Sequence, residues 1–205
     1  MPGRNIIKIF AINNYYHVYN RGVAKQVIFH DDEDYRVFLN LIKRYLDIET
    51  HTDKYGRPYE QLRDQVELLA YCLMPNHFHL LCYLNDEQAI TRLLRNISCA
   101  YTTYYNKKYN RVGTLFQGRY KASRITSDDY LLHISRYIHL NPKDYKQWAY
   151  SSLPAYLGKI QTAWLQPTRI MELFKGGPDE YEQFIENNKP NKDILEDLKY
   201  ELADR

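Results

Sequence analysis

The sequence predicts an α+β fold, one mostly antiparallel sheet with helices on one face. Three observations predict it. Segments of strand alternation and of helical spacing follow one another as strand, helix, strand, strand, helix, strand, helix. The link Pro75-Asn76 between two of the strands is too short for anything but an antiparallel pair. A chain of 205 residues that is 44% hydrophobic and 26% charged has the size and composition of a globular protein with one sizeable core.

The elements follow in chain order. Residues 1–14 carry little signal. Tyr15 to Phe29 has strand composition, interrupted at Asn20-Arg21-Gly22, where glycine permits a turn or bulge before a short continuation. Asp31 or Asp32 can cap a helix in which Tyr35, Phe38, Leu39, Ile42, Tyr45 and Leu46 recur at three and four. Thr50 to Asp64, polar and holding Gly56 and Pro58, reads as a loop; Val66 to Met74 reads as a strand. From His77 the chain alternates again, with His77, His79, Leu81 and Tyr83 on one face and Phe78, Leu80, Cys82 and Leu84 on the other. Asp86 opens a second helix running to about Lys107, with Ile90, Leu93, Leu94, Ile97 and Tyr101 on one side. Thr114 to Ile125 reads as extended, with Gly118 demanding small size or a bulge. Ser127 caps a third helix, Asp128 to about Leu140, that ends before Pro142. After Trp148 the composition shifts. A boundary near 158 divides a main domain (1–158) from a helical appendage (159–205), acidic from Leu165 onward and without evident chemistry.

Composition narrows the function classes. No apolar run approaches the roughly 18 residues of a membrane span, and the start lacks a signal-peptide pattern. Cys72, Cys82 and Cys99 show no CxxC spacing and fit buried thiols in a reducing cytoplasm. The net charge of +3 hides an asymmetry: Thr91–Lys146 carries +8 and the remainder −5. Basic residues interleaved with Tyr101, Tyr104, Tyr105, Tyr109 and Tyr120 suit a face for single-stranded nucleic acid, cations on phosphates and rings on bases. The candidate contacts are Arg92, Arg95, Lys107, Lys108, Arg111, Arg119, Lys121, Arg124 and Arg136, with Arg21 from the first strand.

Two imidazoles side by side on a strand are half of a divalent-metal site. On the third helix His133, Tyr137 and Asn141 recur at four and share a stripe. A phenol near two histidines and a carboxamide has the parts for attack at phosphorus. With a pKa near about 10 the phenol needs a base, a metal or cations to react at neutral pH. A metal on His77 and His79, completed by Asn141, would polarise a phosphate oxygen, with Arg136 and Lys121 as further cations. Each half also has a purely structural reading, Tyr137 as an interface ring and Asn141 as a helix cap.

Met74-Pro-Asn-His-Phe-His-Leu-Leu81 together with Ser135-Arg-Tyr-Ile-His-Leu-Asn-Pro142 resembles the one-tyrosine transposases of the HUH nuclease superfamily. These comprise the single-strand insertion-sequence transposases and the REP-associated tyrosine transposases. Tyr16-His-Val-Tyr-Asn-Arg-Gly22, Phe116-Gln-Gly-Arg-Tyr-Lys121 and Trp148-Ala-Tyr-Ser-Ser152 extend the resemblance over roughly 15–158. It implies a ferredoxin-like, RRM-like sheet and Mg²⁺- or Mn²⁺-dependent cleavage of single-stranded DNA near hairpins. Tyr137 would be the nucleophile of a 5′-phosphotyrosine intermediate, with His77 and His79 as metal ligands. Asn141 falls where insertion-sequence relatives place a glutamine. A cytoplasmic, bacterial-type protein acting at the nucleoid, monomer or homodimer, is further implied. The alternatives are a non-catalytic module binding single-stranded nucleic acid on the same sheet, and a metal phosphoesterase that uses water.

Overall fold

The computed structural model describes residues 10–187; the first nine residues and the acidic tail after 187 lie outside the described residues. The elements are β1 Asn14–Arg21, α1 Asp32–Leu46, β2 Val66–Met74, β3 His77–Leu84, α2 Ala89–Lys108, β4 Lys121–Ile125, α3 Asp128–Leu140, α4 Leu153–Tyr156, α5 Thr168–Met171 and α6 Gly177–Glu186. The four strands form one sheet in the order β2-β3-β1-β4, and every neighbouring pair is antiparallel. Pro75-Asn76 makes the expected tight turn, pairing Met74 with His77. A bulge between Leu68 and Ala70 lets β2 keep that register to its end.

Local chemistry explains where the helices begin. Asp31 is extended and its carboxylate accepts from the Asp34 backbone N–H; Ser127 does the same for the Tyr130 N–H. Each holds acidic residues in the positive first turn behind it.

Helices cover both faces of the sheet, which corrects the expectation of a single covered face. On one side, Val18, Phe78, Leu80 and Leu73 join the inner faces of α1 and α2 in one core. Phe78 meets Phe38 with ring centroids 5.1 Å apart. On the other side Ala70, Cys72 and Leu81 join Leu131, Ile134 and Ile138 of α3 in a second core. Ile170, Phe174, Tyr181 and Ile185 belong to that second core, so the segment from 159 to 187 packs on α3 and the sheet. The reason is legible in hindsight: Leu68–Leu73 is apolar at every position, and a strand like that must be buried on both sides.

Two smaller expectations change. Of Thr114–Ile125 only Lys121–Ile125 is strand; the earlier part is held to the end of β1 by the Gln117 N–H on the Arg21 carbonyl and by side-chain bonds from Asn20 and Arg21, with one isolated bridge, Gly22–Phe116, just beyond. Gly118 stands at φ +70 with open space around its Cβ position, so conformation and not size requires glycine there. Cys99 is exposed, unlike Cys72 and Cys82.

Beyond Gly22 the strand gives way to a 3₁₀ turn, Val23–Lys25, in place of the short extended continuation. A Cβ on Gly22 would lie 2.3 Å from the Gln26 carbonyl oxygen and 2.8 Å from Ile28 Cγ2, so the chain doubles back against bare backbone. Gly22→Ala is expected to lower the unfolding free energy by roughly 1–3 kcal/mol, the usual penalty of overpacking. Urea midpoints read this, and an unchanged midpoint would show that the turn yields.

Candidate active site

Three elements meet around one cavity. β3 presents His77 and His79 on the face turned to α3, while Phe78 between them is fully buried in the opposite core. The two imidazoles lie 5.0 Å apart, ring to ring, nearly perpendicular. α3 supplies Tyr137, edge-on to His79 at 5.4 Å, and just past its end Asn141. β1 supplies His17, Tyr19 and Arg21 from the neighbouring strand, with Tyr19 opposite His79 and Arg21 opposite His77. The cavity, about 380 Å³, is lined by Tyr19, Asn20, Arg21, Lys25, Asn76, His77, Gln117, Lys121, Tyr137 and Asn141.

Hydrogen-bond accounting fixes what the imidazoles can do. His77 Nδ1 is 2.7 Å from the Asn76 side-chain oxygen and its Nε2 is 3.1 Å from that of Asn141. Burial holds this ring below the ordinary histidine range, against the pull of Asn141, so it is neutral and owns one N–H. One proton cannot serve both oxygens, so on one side of the ring a lone pair faces an amide oxygen. His79 is fully buried and neutral for the same reason. Its Nδ1 is 2.9 Å from His17 Nε2, and its own Nε2 has no partner.

A buried orphan nitrogen, together with a nitrogen and an oxygen that turn lone pairs on each other, fits a cation. Adjacent ligands of an octahedral ion at about 2.1 Å lie about 3.0 Å apart, and the His77–Asn141 contact matches that spacing. Among the described residues no three His, Cys, Asp or Glu side chains gather as a metal cluster; the oxygen beside His77 is that of the Asn141 carboxamide.

Tyr137 is half-buried, and burial pushes its phenol up to about 12, with the Asn141 carboxamide pulling the other way. At pH 7 only about one phenol in 10⁵ is then ionised. The nucleophile candidate is therefore not activated by its resting surroundings; Arg21, Lys25 and Lys121 are the cations that share its cavity.

The other basic residues divide by what they touch. Arg95 and Arg119 line a second cleft of about 550 Å³ between α2 and residues 116–120, and Asn20 forms part of both cavities. Lys107 and Arg124 are exposed, and Arg124 bonds Asn14 at 2.8 Å. Arg92 is held by Glu60, Asp86 and Gln65. Lys108 is held by Asp31, Glu33 and the fully buried Asp34. Arg111 sits over the Tyr105 ring. Arg136 departs most from expectation: it is buried, bonded to His133 and the Phe184 carbonyl, and stacked 4.5 Å over the Phe184 ring. It joins α3 to α6 and does not line the cavity. Reading by charge alone could not separate these groups. His17, Asn76, Lys25 and Gln117 went unassigned by pattern, and for His17 the only signal was its place in Tyr16–Gly22.

α3 itself is positioned by a buried polar network. His139 Nδ1 is 2.7 Å from the Tyr181 hydroxyl and Nε2 is 2.7 Å from the Ser152 hydroxyl, which also bonds both backbone groups of Tyr71. These bonds tie the helix to β2 on one side and to α6 on the other.

The fold and the family that the chain matches define a class of protein, a transposase. The chain belongs to the IS200-like transposase family, whose family model matches residues 13–141, from β1 to the end of α3. Among solved structures, a REP-associated tyrosine transposase bound to a REP hairpin overlays with a TM-score of 0.55 at 16% identity, covering 85% of this chain and 96% of that one. Likeness at that identity shows a shared fold. A candidate transposase from Deinococcus radiodurans R1 has a TM-score of 0.40 and 16% identity, over 67% of this chain and 95% of its own. No curated protein matches the chain. Among the described residues no helix is long and apolar enough to cross a membrane.

Burial holds His139 at about 3, against 6.5 for a free imidazole. The unfolded chain therefore takes up that proton first. Stability is full above pH 6.5 and falls as the pH drops toward 3, by up to about 1.4 kcal/mol per pH unit for this residue. Urea unfolding between pH 7 and pH 4 should show a shallower slope in His139→Gln than in the parent chain; equal slopes would place the lost protons elsewhere.

Proposed function

We propose that the chain is a metal-dependent endonuclease and strand transferase for single-stranded DNA, acting next to hairpins. The observation that carries this reading is the convergence of His77, Asn141 and Tyr137 on one cavity, with His79 behind it, 5.0 Å from the His77 ring and 5.4 Å from that of Tyr137, its Nε2 nitrogen buried and unpartnered. His77, His79 and Asn141 would hold the ion, Mg²⁺ or Mn²⁺. Bound there, it would supply Lewis-acid polarisation of the scissile phosphate and offset its developing charge.

The chain's own residues do the rest. Tyr137 Oη attacks phosphorus; the phosphorus–tyrosine bond forms as the bond to the 3′ oxygen breaks. The phenol's proton is replaced by that covalent link, and a proton ends on the freed 3′-hydroxyl. A later 3′-hydroxyl attacking the 5′-phosphotyrosine reverses the exchange, with no external energy source. Arg21 and Lys121 bind the phosphate beside the phenol and lower the cost of ionising it. Arg95 and Arg119 hold the strand in the neighbouring cleft, with Lys107 and Arg124 as outlying phosphate contacts. The hairpin in the complex of the REP-associated relative supports hairpin DNA as the substrate class here.

Tyr137→Phe is expected to abolish the protein–DNA adduct, a loss of at least about a thousand-fold, while binding of the same hairpin-bearing strand changes little. Denaturing gels and filter binding read the two quantities. Undiminished adduct in the variant would remove Tyr137 from the nucleophile's role, and cleavage without adduct in the parent chain would favour water as nucleophile. Chelation with EDTA should stop cleavage, and Mn²⁺ or Mg²⁺ should restore it; cleavage that persists in EDTA argues against a resident ion.

A further inference from the structure

His17 is buried to 1% exposure on the active-site face of β1. It stands diagonally across from His79, since the residue directly opposite His79 is Tyr19. The two rings stack with centroids 5.0 Å apart and interplanar angle 22°. Their nitrogens, His17 Nε2 and His79 Nδ1, are 2.9 Å apart. The remaining nitrogen of each ring, His17 Nδ1 and His79 Nε2, is buried without a partner. One proton lies in the shared bond, and its side decides what His79 can offer. If His17 donates, the proton of His79 sits on Nε2 and no lone pair points toward Tyr137 and His77. If His79 donates from Nδ1, its Nε2 keeps the lone pair.

A fully buried histidine pair that leaves one nitrogen of each ring without a partner is costly. Leaving a buried ring nitrogen unbonded costs about 1–3 kcal/mol. That cost is offset if the His79 Nε2 orphan takes a ligand. Metal-bound histidines nearly always donate their other ring N–H to an acceptor that fixes tautomer and ring angle. His77 has that acceptor in Asn76, at 2.7 Å. His79 has no carboxylate or carbonyl in that place; it has His17.

We propose that His17 is a positioning residue of the metal site: it accepts the Nδ1 proton of His79 and so commits the His79 Nε2 lone pair to a divalent cation. This rests on the metal reading of His77, His79 and Asn141. It assigns His17 no contact with substrate or ion. The stripe Tyr15, His17, Tyr19 is thereby explained by more than packing, because a tyrosine or an aliphatic residue at 17 could fill the space without accepting from a buried imidazole at that angle.

Mn²⁺ binding to the full chain, followed by electron paramagnetic resonance of the free ion, tests the proposal. His17→Phe keeps a ring and removes the acceptor; His17→Gln returns an acceptor oxygen. Mn²⁺ affinity should fall 10- to 100-fold in His17→Phe and recover most of that in His17→Gln. The thermal midpoint of metal-free His17→Phe should stay close to the parent value, since the orphan His17 Nδ1 is exchanged for an orphan His79 Nδ1. Equal Mn²⁺ affinity in the parent and His17→Phe overturns the role of His17 and leaves the metal site standing. No Mn²⁺ binding by the parent chain overturns the metal reading and this inference with it. A second measurement needs no variant: in the Mg²⁺-loaded parent, ¹⁵N shifts should show His79 protonated at Nδ1, and an unprotonated Nδ1 there overturns the proposal.

Discussion

Burial of β3 on both sides is the constraint from which the rest of the molecule follows. A strand sends successive side chains to opposite faces, so the run His77-Phe78-His79-Leu80 alternates between two environments by geometry alone. Phe78 and Leu80 are fully enclosed in the core under α1 and α2, which fixes the strand in place. The same fixity holds the imidazoles on the other face, toward α3. Sliding the strand by one residue would put both histidines into hydrocarbon and Phe78 into the cavity, so apolar packing specifies the polar site.

α3 is the second determinant, and its circumference is divided by role. Leu131, Ile134 and Ile138 enter the second core, Tyr137 and Asn141 face the cavity, and His133 with Arg136 faces α6. No single interface would orient such a helix uniquely. Apolar contact with the sheet sets its depth. The bonds of His139 to Ser152 and Tyr181 set its rotation, because they must all be met or leave buried groups unpaired. The C-terminal segment thus works on the site from a distance, through the helix that carries the phenol.

Much of this was legible in the amino-acid sequence, for reasons that can be named. Asp31 and Ser127 start their helices by bonds to their own next turn, and interactions that local are written in short windows. His77 and His79 share a face by period, as do Tyr137 and Asn141, and the motif pairing brought the two halves together. What failed was anything requiring knowledge of the far partner. Leu68–Leu73 could be read as a strand but not as one covered twice, which left helices on a single face. Arg92, Lys108 and Arg136 carry charge visible in composition, but Asp86, Asp34 and Phe184 meet them only after folding. His17 escaped because its contact with His79 is diagonal across a strand pair distant in sequence, and no one-dimensional spacing encodes it.

The end of α3 has a dynamic implication. Helices ordinarily unravel from their last turn, where carbonyls lack partners and opening costs little. Here that turn contains His139, bonded through both nitrogens to groups buried in the second core, and Pro142 just beyond is also buried. Asn141 lies between these two buried residues. The carboxamide oxygen beside His77 is thereby preset at its station before any strand arrives, and the chain pays its ordering entropy during folding instead of at each encounter with DNA.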